Sequence, residues 1–570
     1  MDKRYQIEIQ QLHNTFQTIT CSDNENLLDA MIRQSIPCRS DCGGRGTCGK
    51  CKIQVIKGDL DITSQDHHIF TNEELQKGYR LSCKAYPRGD ISIKPIVGKE
   101  ADIEVVTESI RVSPIDIVSV EEESYAIAID LGTTTVAISI IDRKDGSIVN
   151  THAVINPQRV YGADVISRIM ASNEGKKEEL RKAIGNCILE GILSVIKDTG
   201  ITANKIWKIA IAGNTTMGHL LLGYSCETLG VFPFTPVNIG MIEIKLKDII
   251  STSIVQNGIN DSLNINMLSN IERRLNLVDV EFVNTLQEVP VVLLPGISTF
   301  VGGDIVAGLS FCGYYTNKKP CLLIDLGTNG EMALGNQERI LVTSTAAGPA
   351  FEGGNITFGM GSVPGAISSI SIRGKEVTVG TIGNKPAIGI CGTGVVEVTS
   401  ELFKAGLIDD TGLLVDEYFK DGFPILRQVG EEVLVESNNS QQDQNSAGTE
   451  IQFTQKDIRE LQLAKAAIRA GLEILIKNYG ITQEEINKVY LAGGFGFKLN
   501  IDKAIHIGLL PEEFRDKVIV IGNSSLAGVI EFLTVSDSKE KMERIISISD
   551  EIHLSNDDDF YDLYLKYMSF

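Results

Sequence analysis

Residues 41–51 read DCGGRGTCGKC, and two kinds of chemistry compete for them. Gly44-x4-Gly49-Lys50 matches most of a phosphate-binding P-loop, whereas Cys42, Cys48 and Cys51 match the front of an iron–sulfur ligand set. A P-loop follows a strand and opens a helix. Here the order is reversed. Residues 26–35, NLLDAMIRQS, have helical spacing at Leu27, Leu28, Met31 and Ile32, and a strand at 51–56 follows the loop. Cys51 also stands where the magnesium-binding hydroxyl would be. The thiol reading gives C-x5-C-x2-C at 42, 48 and 51, then 31 residues before Cys83. Glycines at 43, 44, 46 and 49 let the backbone wrap closely and aim N–H groups at sulfur. The pattern predicts a [2Fe–2S] cluster on Cys42, Cys48, Cys51 and Cys83. Zinc is the alternative, but its structural sites usually pair two C-x2-C knuckles, and Cys83 comes alone.

Outward from the loop, residues 5–11 (YQIEIQQ) alternate and residues 15–20 continue as a strand, with a turn expected near His13-Asn14. A last strand is expected at 91–96. Strand, strand, helix, strand, strand is the order of a small β-grasp domain. With its cysteines, this part resembles the ferredoxin family of the β-grasp type. Cys38 is expected to be a bystander and Cys21 a core residue.

Eleven cysteines occur, six of them within the first 83 residues. In a reducing compartment so tight a group favours metal over disulfides. Cys187, Cys226, Cys312, Cys321 and Cys391 are expected to be buried small hydrophobes. Fifty-three basic against 74 acidic side chains leave a net charge of -21, which argues against nucleic acid or an anionic membrane as main partner. There is neither an apolar signal-peptide core at the N-terminus nor a run of 18 apolar residues, so a cytoplasmic protein without membrane helices is expected. The 570 residues leave room for two to four domains.

An internal echo fills the rest of the chain. Residues 126–142 read AIAIDLGTTTVAISIID and residues 322–334 read LLIDLGTNGEMAL. Each is an apolar strand, then Asp-Leu-Gly-Thr, a turn and a second strand. A hairpin tip built on Gly132 or Gly327 exposes N–H groups to phosphate oxygens. Thr133, Thr134, Thr135, Thr328 and Asn329 add polar groups, and Asp130 and Asp325 at the strand ends are suited to hydrated Mg²⁺. One such motif is an ordinary turn as often as not; two, about 195 residues apart, predict an ATP site. A third piece follows a long helical pattern at 455–479: the strand-like KVYLA of 488–492, then Gly493, Gly494, Phe495 and Gly496. Glycine-rich stretches at 211–219, 346–365 and 389–394 look like cleft walls, with Asn214, Thr215, Glu352 and Thr393 as candidate contacts.

Two phosphate hairpins and a late Ala-Gly-Gly loop resemble the superfamily of ATPases that includes actin, sugar kinases and heat-shock chaperones. The resemblance implies two α/β subdomains with ATP between them. It also implies a polar residue that orients the attacking water from a helix ahead of the second hairpin. That helix would open at Gly302-Gly303-Asp304, which makes Asp304 the candidate; its alternative role is a helix cap.

The combination is α+β: a β-grasp [2Fe–2S] ferredoxin domain (1–97), a linker (98–123), a middle domain with the first ATPase subdomain (124–290) and a C-terminal ATPase domain (291–570). A polar insertion is expected at 436–450 and a docked terminal helix after 559. The order resembles the reductive activators of corrinoid proteins, and the stretches at 294–309, 345–361 and 490–496 look like that family's. The resemblance implies ATP-driven reduction of a corrinoid protein from Co(II) to Co(I), with an upstream low-potential electron donor. A homodimer is one expectation for its assembly. Two alternatives stand beside it: an activator of another low-potential metalloenzyme, and a redox-regulated small-molecule kinase.

Overall fold

A computed structural model of the chain describes residues 3–10, 15–34, 36, 38, 40, 42–96, 109, 120, 122–197, 199–250, 280–374, 376–426, 451–496 and 498–570. The expected turn at 13–14 and the insertion at 436–450 lie outside them.

The N-terminal body is a five-stranded sheet of β1 (Arg4–Gln10), β2 (Phe16–Ser22), β3 (Lys52–Lys57), β4 (Tyr79–Leu81) and β5 (Ile91–Pro95), in the order β2-β1-β5-β3-β4. β1 and β5 run parallel, while the other pairs are antiparallel. Period-two alternation sends Ile7, Ile9 and Ile19 inward, where they meet Leu27 and Met31 of the helix Leu27–Arg33. Asn26 caps that helix by accepting the Asp29 N–H. The expected order lacked two short helices, Ser64–Ile69 and Asn72–Gln76. Each opens on a capping box, Thr63 with Asp66 and Thr71 with Glu74. Asp66 is buried and also accepts the Leu81 N–H at 2.8 Å, which fixes the strand that delivers Cys83.

Two six-stranded sheets follow. The first contains β6 (Tyr125–Leu131), β7 (Thr135–Asp142), β8 (Ile148–Ile155), β9 (Ile206–Gly213), β10 (Ile242–Lys245) and β11 (Pro290–Leu293), ordered β10-β11-β9-β6-β7-β8. The second lobe begins with β12 (Cys321–Leu326), β13 (Gly330–Gly335) and β14 (Ile340–Thr345). It continues through a small sheet of β15 (Ala366–Arg373), β16 (Glu376–Thr381) and β17 (Gly389–Ile390), then the pair β18 (Phe423–Leu426) and β19 (Ile451–Phe453). With β20 (Lys488–Ala492), β21 (Val518–Gly522) and β22 (Ser549–Glu551), its main sheet is ordered β21-β20-β12-β13-β14-β22. The echo in sequence is thus an echo in topology. Each lobe has an antiparallel β-meander with parallel strands added beside its first strand. One expectation needs correcting: a boundary at 290/291 would split β11, which pairs with β9 and β10 in the first sheet.

The two faces of β6 explain how the lobes join. Ile127 and Ile129 point into a core with the helix Lys177–Ile196, whereas Ala126 and Ala128 point into another with Val306, Ala307, Leu526 and Val529. The small side chains admit two helices, Gly303–Phe311 and Ser524–Thr534, against the sheet. These helices touch backbone to backbone, since a Cβ on Gly528 would lie 2.1 Å from the Ala307 carbonyl oxygen. Adding methylenes there costs about 1–3 kcal/mol by overpacking. Of the linker, Ser109 is described in a bridge with Gly522 at the edge of the second sheet, a contact with the body it leads to.

Candidate functional site

The two hairpin tips meet. Thr134 and Thr328 bring their hydroxyl oxygens to 3.5 Å, and both donate to one carboxylate, Glu352, at 3.2 and 3.0 Å. Period-two strands ending on the same side of two facing sheets produce this convergence. Each tip closes on itself: the Gly132 N–H donates to the Thr135 carbonyl and the Gly327 N–H to the Asn329 carbonyl, both at 3.0 Å. The late glycine turn crosses the second tip. Gly493 adopts φ +88, and a Cβ there would lie 2.5 Å from the Leu326 carbonyl oxygen and 2.7 Å from an Asp325 oxygen. Phe495, in the short helix Gly493–Gly496, stacks on Phe351 with ring centroids 4.7 Å apart. Gly494 faces open space and Gly496 packs on Leu491.

The first tip is held by side chains from several elements. Asn156 donates to the Gly132 carbonyl at 2.8 Å and Arg168 to the Thr133 carbonyl at 2.6 Å. Asn214 donates to the Thr133 hydroxyl at 2.9 Å while capping the helix Thr215–Leu222. Asp130 accepts from Asn523 and Ser525, both at 2.8 Å.

Carboxylates crowd the cleft. Burial pushes Asp304 up to about 7, with the charge of Asp130 adding to the effect. Burial likewise raises Asp325 to about 7, with Asp304 and Asp130 contributing. Glu331 is pushed well above its ordinary range, first by burial and then by Asp304 and Asp325. Burial also raises Asp130 and Glu352, against the hydrogen bonds each accepts. Asp304 is not the helix cap: Gly302 holds that position, and the Asp304 carboxylate accepts the Ile305 N–H at 2.9 Å. A set of hard oxygens short of positive charge fits a divalent cation and a nucleotide more readily than a second anion alone.

The four cysteines come together as two pairs. The Cys51 and Cys83 sulfurs lie 3.3 Å apart. Cys42 is drawn down to about 3 by its hydrogen bond with Cys48, and that same bond pushes Cys48 up. The Lys50 N–H also points at the Cys48 sulfur, at 3.5 Å. Gly43, Gly44, Gly46 and Gly49 all have left-handed φ, from 60 to 85, so the loop curls around the thiols as the glycine spacing predicts. Two pairs of thiols, with the Lys50 N–H aimed at one sulfur, are of the donor type that a [2Fe–2S] cluster takes. Among the described residues, no group of three or more His, Cys, Asp or Glu is arranged to hold a metal ion in these positions. Cys38 packs among apolar residues, and burial raises it to about 12.

Two of the wall candidates are engaged elsewhere: Thr215 donates to the Ser298 carbonyl and Thr393 contacts Cys391 at 3.1 Å. Glu331, Arg168, Asn156, Asn523 and Ser525 were not anticipated. Glu331 had a signal, since it directly follows the second tip at Asp325-Leu-Gly-Thr-Asn-Gly330. The others reach the tips from distant segments.

Three family models match the chain. They are the 2Fe-2S iron–sulfur cluster binding domain at 11–88, the RACo middle region at 125–271, and the C-terminal ASKHA domain of RACo at 319–570. The corrinoid activation enzyme RamQ of Eubacterium limosum is 34% identical over 453 residues, 78% of this chain and 70% of that one. The [Co(II) methylated amine-specific corrinoid protein] reductase of Methanosarcina barkeri is 24% identical, over 78% and 77% of the two chains. The solved structure of a reductive activator for corrinoid, iron–sulfur protein superposes with a TM-score of 0.64 at 27% identity, over 99% of this chain and 98% of that one. A [2Fe–2S]-type module ahead of two facing phosphate hairpins, in a chain so related along its length, belongs to the RACo-type family of corrinoid-protein reductive activators.

Proposed function

We propose that this protein uses ATP to reduce a corrinoid protein from Co(II) to Co(I). The observation that carries the reading is the meeting of the two hairpin tips on Glu352, which puts both phosphate loops in one cleft of a chain that also carries the cysteine loop and Cys83.

Cys42, Cys48, Cys51 and Cys83 would hold a [2Fe–2S] cluster, drawing on the two thiol pairs. When bound there, such a cluster would supply one electron at a potential of about −400 mV. Gly132, Thr133, Thr134, Gly327 and Thr328 present N–H and hydroxyl donors to the phosphates, while Thr135 and Asn329 close the tips. Gly493, Gly494 and Gly496 form the floor beneath the nucleoside. Asp130 and Asp325 would hold hydrated Mg²⁺, which would lend positive charge to the phosphates. Asp304, placed near both, orients the attacking water. Glu352 occupies the hydroxyls that phosphate needs, so nucleotide entry displaces one anion with another and frees the two tips from each other.

Reducing Co(II) at a potential below the cluster's is uphill. A coupling of about 1–3 kcal/mol offsets roughly 40–130 mV for one electron. A cleft that changes shape when Glu352 lets go is able to supply a term of that size through how the client is held. The divisions at 97 and 123, a low-potential donor upstream, a cytoplasmic setting and a homodimer belong to the same proposal. No helix among the described residues is long and apolar enough to cross a membrane. The test is client-dependent turnover: adding a corrinoid protein in its Co(II) state accelerates ATP hydrolysis and releases inorganic phosphate. Indifference to every corrinoid client, with phosphate transferred to a small molecule instead, would favour a kinase.

A further inference from the structure

The cysteine loop does not stand apart from the cleft. Gly43 packs directly on the backbone of residue 161: a Cβ there would lie 2.3 Å from the Tyr161 carbonyl oxygen. Two side-chain contacts flank this seat. The Arg45 guanidinium meets the Met170 sulfur at 3.1 Å, and Lys176 faces Asp29 at 3.9 Å, with both partners more than a third exposed. One exposed ion pair contributes little, so the seat is releasable.

On the other side of the same segment lies the first phosphate tip, and one residue touches both. Arg168 is fully buried. Its Nε donates to the Gly162 carbonyl at 2.9 Å, the residue next to the seat, and its Nη2 to the Thr133 carbonyl at 2.6 Å. The remaining described contact is the Met217 sulfur at 3.2 Å. A buried guanidinium bonded to neutral carbonyls and sulfur gains more from an anion than from either carbonyl, because charge-assisted hydrogen bonds are about twice as strong. Asp164 and Glu352 exert attraction on it, and burial is the main pressure against its charge.

We propose that Arg168 is a positioning residue that couples nucleotide binding to release of the cluster-bearing loop. The proposal deepens the nucleotide reading above and rests on it. A phosphate group arriving at Thr133 draws the guanidinium toward itself. Arg168 then gives up the Gly162 carbonyl, the backbone at 161–162 relaxes, and Gly43 loses its seat. The ferredoxin body then leaves this seat and approaches a client only when nucleotide is bound.

The experiment is hydrogen exchange on the full-length, cluster-loaded protein, with and without Mg²⁺ and adenylyl imidodiphosphate. In the wild type, the analogue slows exchange at 131–135 and speeds it several-fold at 42–50. In Arg168→Gln the first response persists and the second disappears, a split that loss of structure alone does not produce. Lys176→Glu, at an exposed position, raises exchange at 42–50 before the analogue is added and shrinks the further increase; it keeps the test in force if Arg168→Gln does not fold. A response at 131–135 with none at 42–50 in the wild type overturns the coupling and leaves the nucleotide site standing. So does an undiminished response at 42–50 in Arg168→Gln. No response at either segment overturns the nucleotide reading and this proposal with it.

Discussion

The two Asp-Leu-Gly-Thr hairpins share a motif and a topology but not an environment. The first is braced by Asn156, Arg168 and Asn214, and its aspartate, Asp130, accepts two hydrogen bonds from the other lobe. The second instead has Thr328 on Glu352 and Asn329 hydrogen-bonded to Glu331. Burial and the charges of Asp304 and Asp130 raise Asp325 with no hydrogen bond opposing them. On the proposed reading Asp130 is the anchored and Asp325 the poised member of the Mg²⁺ pair, a difference that a repeat read from sequence alone does not show.

The comparison breaks most easily at the aspartates. Asp325→Ala lowers ATP turnover on the order of 10²–10³-fold, the scale of losing one charge-stabilising group, and leaves the cluster's visible spectrum intact. Persistent turnover would remove Asp325 from the chemistry. Asp304→Asn follows, with a loss on the order of 10²-fold if it orients the water; nucleotide affinity, measured by calorimetry, is retained. Asp130→Asn keeps one acceptor oxygen for Asn523 and turns its NH2 toward the Ser525 hydroxyl, which can accept, and its effect on turnover is the smallest of the three, about tenfold or less. An Asp130 defect as deep as that of Asp325 would erase the distinction between anchor and poised site.

Stability sharpens it. Asp325 in the folded protein holds its proton up to about 7, against 3.8 for the unperturbed group. The folded state therefore binds more protons than the unfolded one between those values, and stability falls as pH rises across that window. Thermal unfolding of the metal- and nucleotide-free protein should show this decline. Asp325→Asn flattens it and raises stability near pH 8 by roughly 1–2 kcal/mol after allowance for screening. The same substitution at Asp130, whose raised state is opposed by two hydrogen bonds, gives a smaller gain.

What was legible in the sequence was whatever a local pattern encodes. Alternation gave β1 and β2, and glycine spacing gave the curl of 42–51. The repeated Asp-Leu-Gly-Thr gave both hairpins, and the periodic run gave the helix Gln455–Tyr479. The two capping-box helices were written in Thr63-x-x-Asp66 and Thr71-x-x-Glu74 but lacked the apolar run that usually announces a helix. The braces of the first tip were not legible. Asn523 and Asp130 are almost four hundred positions apart, and nothing local to either names the other. The boundary at 290/291 failed for a related reason: β11 is defined by its partners β9 and β10, not by its own four residues.

The most direct test of the central claim is optical and anaerobic. The cluster-loaded protein is mixed with a low-potential reductant, Mg²⁺ and a corrinoid protein in its Co(II) state, and the visible spectrum is followed with and without ATP. The account predicts that the Co(I) band grows only with ATP. Equal growth without ATP, or none with ATP while the cluster and ATPase are intact, would contradict it.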